Sequence, residues 1–149
     1  MFVPAGFEPP HRLDGNGFRL EPLGPEHNER DYAAWSSSVE HIRASPGYGP
    51  EASWPQPMSP DENRADLERH ARDFVERTGF TYSVLDPVDD VVGCVYVYPA
   101  EDAAHDVHIR SWVRESRAEL DASLRRTVAD WLTSDVWPFE RPLYEPLLG

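Results

Sequence analysis

A few side chains in this sequence have types and spacings that can do chemistry. His108 lies in Asp106-Val-His-Ile-Arg-Ser-Trp-Val-Arg114, where apolar and polar residues alternate. Its imidazole titrates near neutrality, so it can serve as a general base; a strand histidine bonded to a neighbour is the plainer alternative. Tyr82, Tyr96 and Tyr98 can form a wall with hydroxyl tips, and Tyr98 can give up a proton, although cross-strand packing uses the same rings. Arg114 and Arg117 carry guanidinium forks suited to phosphate. His105, Asp106 and His108 suggest a metal, but in a strand His105 faces away from the other two, so no metal site is expected. Cys94 is the only cysteine, which excludes a disulfide framework and a thiolate-rich zinc site and leaves it as a small core residue.

The elements that must hold these residues follow from periodicity. Val107, Ile109, Ser111 and Val113 share one strand face, and His108, Arg110, Trp112 and Arg114 the other. Leu120, Leu124, Val128 and Trp131 or Leu132 then recur at helical spacing, with Ser116 and Glu119 placed as a capping box. A strand feeding a helix presents free amides to an anion. Upstream, Met1 to Gly17 read as an irregular arm that Phe2, Val3 and Phe7 can pin to the body or to a partner subunit. Phe18–Leu23 is a first strand, ended or edged by Pro22. Tyr32, Trp35, Val39 and Ile42 predict one helix over about 26–44, followed by an aromatic, breaker-rich loop over 47–57. Ser59-Pro-Asp-Glu62 starts a second helix that Gly79 ends, with His70 beside its apolar stripe. Phe80–Leu85 and Val91–Tyr98 form a hairpin across 86–90. The tail after Asp135 has room for one short strand, and its Trp137-Pro-Phe139 run suits packing or a homodimer contact.

The length of 149 residues fits one body, so the expected organisation is an arm over 1–17 and a single domain over 18–149. The class is α+β or α/β, a sheet covered by helices. A net charge of −13, from 14 Lys+Arg against 27 Asp+Glu, argues against nucleic acid and anionic membrane partners and favours basic or amine-bearing ones. Every basic side chain other than histidine is arginine. With no signal peptide and no membrane-length apolar run visible, the expected location is cytoplasmic.

Several of these runs resemble the GNAT superfamily of acyl-CoA-dependent N-acetyltransferases. They are Phe18-Arg-Leu-Glu-Pro-Leu23, Phe80–Leu85 with Val91–Pro99, and Trp112-Val-Arg-Glu-Ser-Arg117; the likeness covers roughly 18–144. It implies a mixed, mostly antiparallel sheet that splays between the family's fourth and fifth strands, with acetyl-CoA as co-substrate. The pantetheine arm would lie in the gap, the pyrophosphate on the following helix, and the amine would enter from the opposite side. The family's phosphate signature is a basic or amide residue, two variable positions, Gly, one variable position, then Gly or Ala. Here it reads Arg117-Ala-Glu-Leu-Asp-Ala122, with Leu120 in place of the first glycine and acids at Glu115, Glu119 and Asp121. That makes the chain a short, divergent likeness with a degenerate loop and a shortened C-terminus, in which Tyr144 is the only late tyrosine.

What the resemblance implies for the site is a cofactor set of Trp112, Val113, Arg114, Arg117 and Ala122, with His108 and Tyr98 catalytic. Trp112 serves equally as a cofactor-arm neighbour or a core anchor. Two functions stay open. One is an N-acetyltransferase moving acetyl from acetyl-CoA to a small amine or basic peptide by direct transfer. The other is a non-catalytic binding or interaction module that has lost acyl-CoA.

Overall fold

The computed structural model describes residues Met1–Gly149. Six strands stand in sequence order in one sheet: β1 Leu13–Asp14, β2 Arg19–Pro22, β3 Phe80–Leu85, β4 Val91–Tyr98, β5 Val107–Val113 and β6 Pro142–Leu143. Neighbours are antiparallel as far as β5, and β6 joins β5 in parallel through Val107↔Pro142 and His108↔Leu143. The helices are α1 Asn28–Ser36, α2 Val39–Arg43, α3 Pro60–Glu76 and α4 Asp121–Leu132. This is the mixed α/β architecture the resemblance implied.

Alternation along the strands builds two cores. Phe80, Tyr82, Val95, Val97, Val107, Ile109 and Val113 meet Leu124, Val128 and Leu132 of α4 on one face. On the other, Cys94 and Trp112 meet Ala34 and Trp35 of α1, Ile42 of α2 and Leu67 of α3. Cys94 is therefore a core residue and the division of faces read from β5 holds, but Tyr82, opposite Val95, lies on the α4 face, so it forms no wall with Tyr96 and Tyr98.

Three local expectations need correction. The helix expected over 26–44 is broken: a 3-10 turn at Pro25–His27 leads into α1, and α2 is separate. At the break, the Ser38 hydroxyl donates to the Ala34 carbonyl at 2.8 Å, a side-chain bond that competes with helix continuation. The second helix has its capping box at Ser59 and Glu62, but it ends on Arg77 in the left-handed region (φ 63°) rather than on Gly79. Gly79 makes room instead, since a Cβ there would lie 2.0 Å from the Tyr98 ring. Finally, the capping box expected from Ser116 and Glu119 does not form. Residues Glu115–Leu120 make a 3-10 run straight into α4, and the Glu119 carboxylate accepts from Arg117 at 2.9 Å.

The arm is not irregular throughout, since Leu13–Asp14 pair with Leu20 and Arg19 as β1, and its start is pinned to the body. Val3 is buried, Phe2 stacks on Phe80 and Phe139, and Phe7 meets Phe80 and Trp137. Trp137 is buried among these rings within its own chain. The tail is held by Asp106, whose carboxylate accepts the amides of Glu140 and Arg141 at 2.8 and 3.0 Å. His105 turns to Asp102 at 2.8 Å.

Candidate functional site

The resemblance places a diphosphate at the β5–α4 junction. An anion site needs amides without partners at a helix start. Here the Arg114 amide donates to Val92 O at 2.8 Å, Arg117 to Arg114 O at 2.9 Å, and Glu115 to the Ser38 hydroxyl at 2.9 Å. The Asp121 amide donates to Ala118 O, because the 3-10 run supplies carbonyls in front of α4. Leu120 points into the core with 8% of its surface exposed. The guanidinium groups are engaged with acids, although the buried Arg114 Nε has no partner. Arg114 bonds Asp90 at 3.1 Å, and Arg117 bonds Asp86 at 3.0 Å as well as Glu119. Asp121 faces His41 of α2 at 2.9 Å. The seam between β5 and β6 is filled as well: the Tyr144 hydroxyl lies 2.6 Å from Ser111 Oγ, with Arg125 over its ring at 5.6 Å.

The five residues assigned to the cofactor do not surround an open hollow. Trp112 and Val113 are core residues, and the Trp112 indole donates to the Tyr96 hydroxyl at 3.0 Å. Arg114 and Arg117 brace the β3–β4 hairpin, and Ala122 is exposed on the first turn of α4. With these four amides bonded, Leu120 in the core and acids on both arginines, the residues present do not fit a diphosphate seated on those amides.

The opposite sheet face has a cavity of about 490 Å³, bounded by α1, α3, β4, β5 and the 48–58 loop. That volume suits a small ligand. Its floor includes Leu23, Leu67, Met58, Trp54 and Tyr96, and its charged lining is Asp31, Asp66, Arg69, His70 and Arg110. No residue of the β5–α4 junction lines it.

Asp31 is the unusual member. It is 3% exposed and one carboxylate oxygen accepts from Asn63 Nδ2 at 3.1 Å. Asn63 is fixed in turn by the Trp35 indole at 3.0 Å. The other oxygen of Asp31 is not sealed from solvent and has no protein partner, and no cation pairs with it. Desolvation, helped by nearby Asp66, lifts its pKa from 3.8 to about 6 despite the Asn63 bond.

Along α3, His70 Nδ1 lies 2.7 Å from the Tyr98 hydroxyl, which donates to Asp73 Oδ2 at 2.7 Å. His70 Nδ1 also lies 3.2 Å from the Thr81 hydroxyl, so the imidazole is shared between Tyr98 and Thr81. Burial lowers the His70 pKa to about 4. Burial and the Asp73 bond push the Tyr98 phenol above its ordinary value. Tyr98 thus lines the cavity as a relay member and a poor acid. His108 lies opposite Tyr98 in the sheet register, outside the cavity lining, its pKa lowered by burial and by Arg110.

Reading the sequence missed Asp31, Asp73, Arg110 and the role of His70. The available signal was a polar residue on an apolar stripe: Asp31 precedes Trp35 by four, and His70 follows Leu67 by three.

The order of strands and helices, the parallel β6 and the seam beside β5 define the fold of the GNAT acetyltransferases. Among solved structures, a ribosomal-protein-S5-alanine acetyltransferase from Vibrio fischeri is similar (TM-score 0.60, 14% identity), covering 81% of this chain and 66% of its own. So is RimL, a ribosomal L7/L12 α-N-protein acetyltransferase solved in complex with coenzyme A (TM-score 0.63, 14% identity, 85% of this chain, 70% of that one). A GNAT-family acetyltransferase from Bacillus anthracis matches at TM-score 0.58 with 9% identity, 83% and 67% covered. The chain thus spans about two thirds of the length of these proteins. No protein-family model and no curated protein sequence matches it.

Proposed function

We propose that this chain is a binding protein on the GNAT fold, which holds an amine-bearing ligand through Asp31 and does not seat acetyl-CoA at the β5–α4 junction. The observation that carries the reading is Asp31 itself. A carboxylate 3% exposed, with one oxygen free beside a cavity and no counter-ion, is costly until a cation reaches it. The paired arginines, bonded amides and buried Leu120 support the second half. The chain's negative charge favours approach of the amine.

A second reading is the N-acetyltransferase, moving acetyl from acetyl-CoA to a small amine or basic peptide by direct transfer. The His70–Tyr98–Asp73 chain on the same cavity lining favours it, because it sets a hydrogen-bonded imidazole beside the place where an amine would be held. RimL, with coenzyme A, supplies the precedent for the co-substrate. Coenzyme A would then have to be held in some way other than by these amides.

Calorimetric titrations with butylamine, spermidine and acetyl-CoA separate the readings. The binding protein takes an amine saturably, loses it in Asp31→Asn, and shows no saturation with millimolar acetyl-CoA. Saturable acetyl-CoA binding with amine-dependent release of free thiol would replace it by the second reading. No amine binding by the wild type would remove both.

A further inference from the structure

The cavity has a second uncommitted charge, of opposite sign. Asp66 and Arg69 lie 3.0 Å apart and satisfy each other, and His70 is spoken for by Tyr98. Arg110 is different. It projects from β5 onto the cavity face, packs its stem against Gly47, and makes no ion pair or side-chain hydrogen bond anywhere in the structure. Arg30 and Arg125, also half-buried and without a carboxylate, bond carbonyl oxygens instead, whereas Arg110 has no partner of either kind. Tyr96 is its cross-strand partner, and Trp54 and Gln56 line the same cavity. Tyr48, on the same lining, is 5% exposed and its hydroxyl has no hydrogen-bond partner.

Building on the amine reading, the geometry points to a zwitterionic ligand, an amino acid or a whole short peptide with its ammonium at Asp31 and its carboxylate at Arg110. A guanidinium offers two parallel N–H donors to a carboxylate, which no neutral group of the ligand can use as fully. Apolar and aromatic surface from Leu23, Leu67, Met58, Trp54 and Tyr96 separates the two charges, so the segment between them is apolar. An amine alone binds at Asp31 but less tightly than the zwitterion, because it leaves the Arg110 guanidinium without a partner.

The test is a matched set of probes: n-alkylamines, ω-amino acids of the same chain lengths, and the corresponding alkanoates, each titrated calorimetrically into the whole chain. At one chain length the ω-amino acid should bind at least tenfold more tightly than the amine. Arg110→Gln should abolish that gain, bringing amine and amino acid to equal affinity, and Asp31→Asn should abolish binding of both. A dipeptide series tells a whole short peptide from a free amino acid. Equal affinity of amine and amino acid at every length, or a gain that survives Arg110→Gln, overturns the zwitterion and leaves the amine reading standing. Absence of any amine binding fails the underlying reading instead. Circular dichroism of the Arg110→Gln variant, expected to match the wild type, guards against unfolding.

Discussion

Asp31 shows how one residue can set stability against binding. Its folded pKa is raised from 3.8 to about 6, so folding takes up a proton. Its contribution to stability is complete below pH 3.8 and is lost as pH rises through 6. At about 1.36 kcal/mol per unit, burying the ionised form costs about 3 kcal/mol above pH 7. Asp31→Asn should therefore raise unfolding stability by about that amount at pH 8 and change little at pH 4, read by urea melts at both pH values. The same substitution should abolish amine binding. His70 titrates with the opposite sign: its pKa is lowered to about 4, so its contribution is present above pH 6.5 and lost as pH falls toward 4. Comparing variant with wild type at each pH isolates Asp31. Neither effect was legible in the sequence. Burial there is decided by α3 crossing α1, through Asn63 and Trp35, and spacing along one helix does not report that crossing.

At the scale of elements, the β5–α4 junction is a brace. The 3-10 run lets Arg114 and Arg117 reach Asp90 and Asp86, while Arg19 pairs with Asp89 on the same hairpin. Asp86 also accepts the amides of Val88 and Asp90 at 3.0 Å, and Asp89 takes the left-handed conformation the turn needs (φ 65°). Leu120→Ala should destabilise the chain by roughly 2–5 kcal/mol in denaturant melts, as a core truncation does and as opening a cofactor loop would not. Gly93→Ala should cost roughly 1–3 kcal/mol, since its Cβ would lie 2.4 Å from the Trp112 carbonyl oxygen, which the sheet holds in place. The strands and α3 were legible because alternation and the Ser59–Glu62 box are local signals. The junction was not: Ser116 and Glu119 have capping-box spacing, and only the distant Ser38 and Asp86 explain why the chain folds otherwise.

For the whole molecule, the arm and tail are structural parts of the fold. Tyr82 donates to the Pro10 carbonyl at 2.7 Å, and Phe2, Val3 and Phe7 close over Phe80 and Trp137. Deleting residues 1–12 should lower stability by several kcal/mol, given roughly 1.5–3 kcal/mol per buried apolar side chain, and shift the tryptophan emission to the red. Tyr144 has a separate use. Anything that wedges apart β5 and β6 must first evict that ring from Ser111 and from beneath Arg125. Its aromatic proton resonances are thus a native, label-free alarm for intrusion, able to register a molecule in the seam before any product is sought.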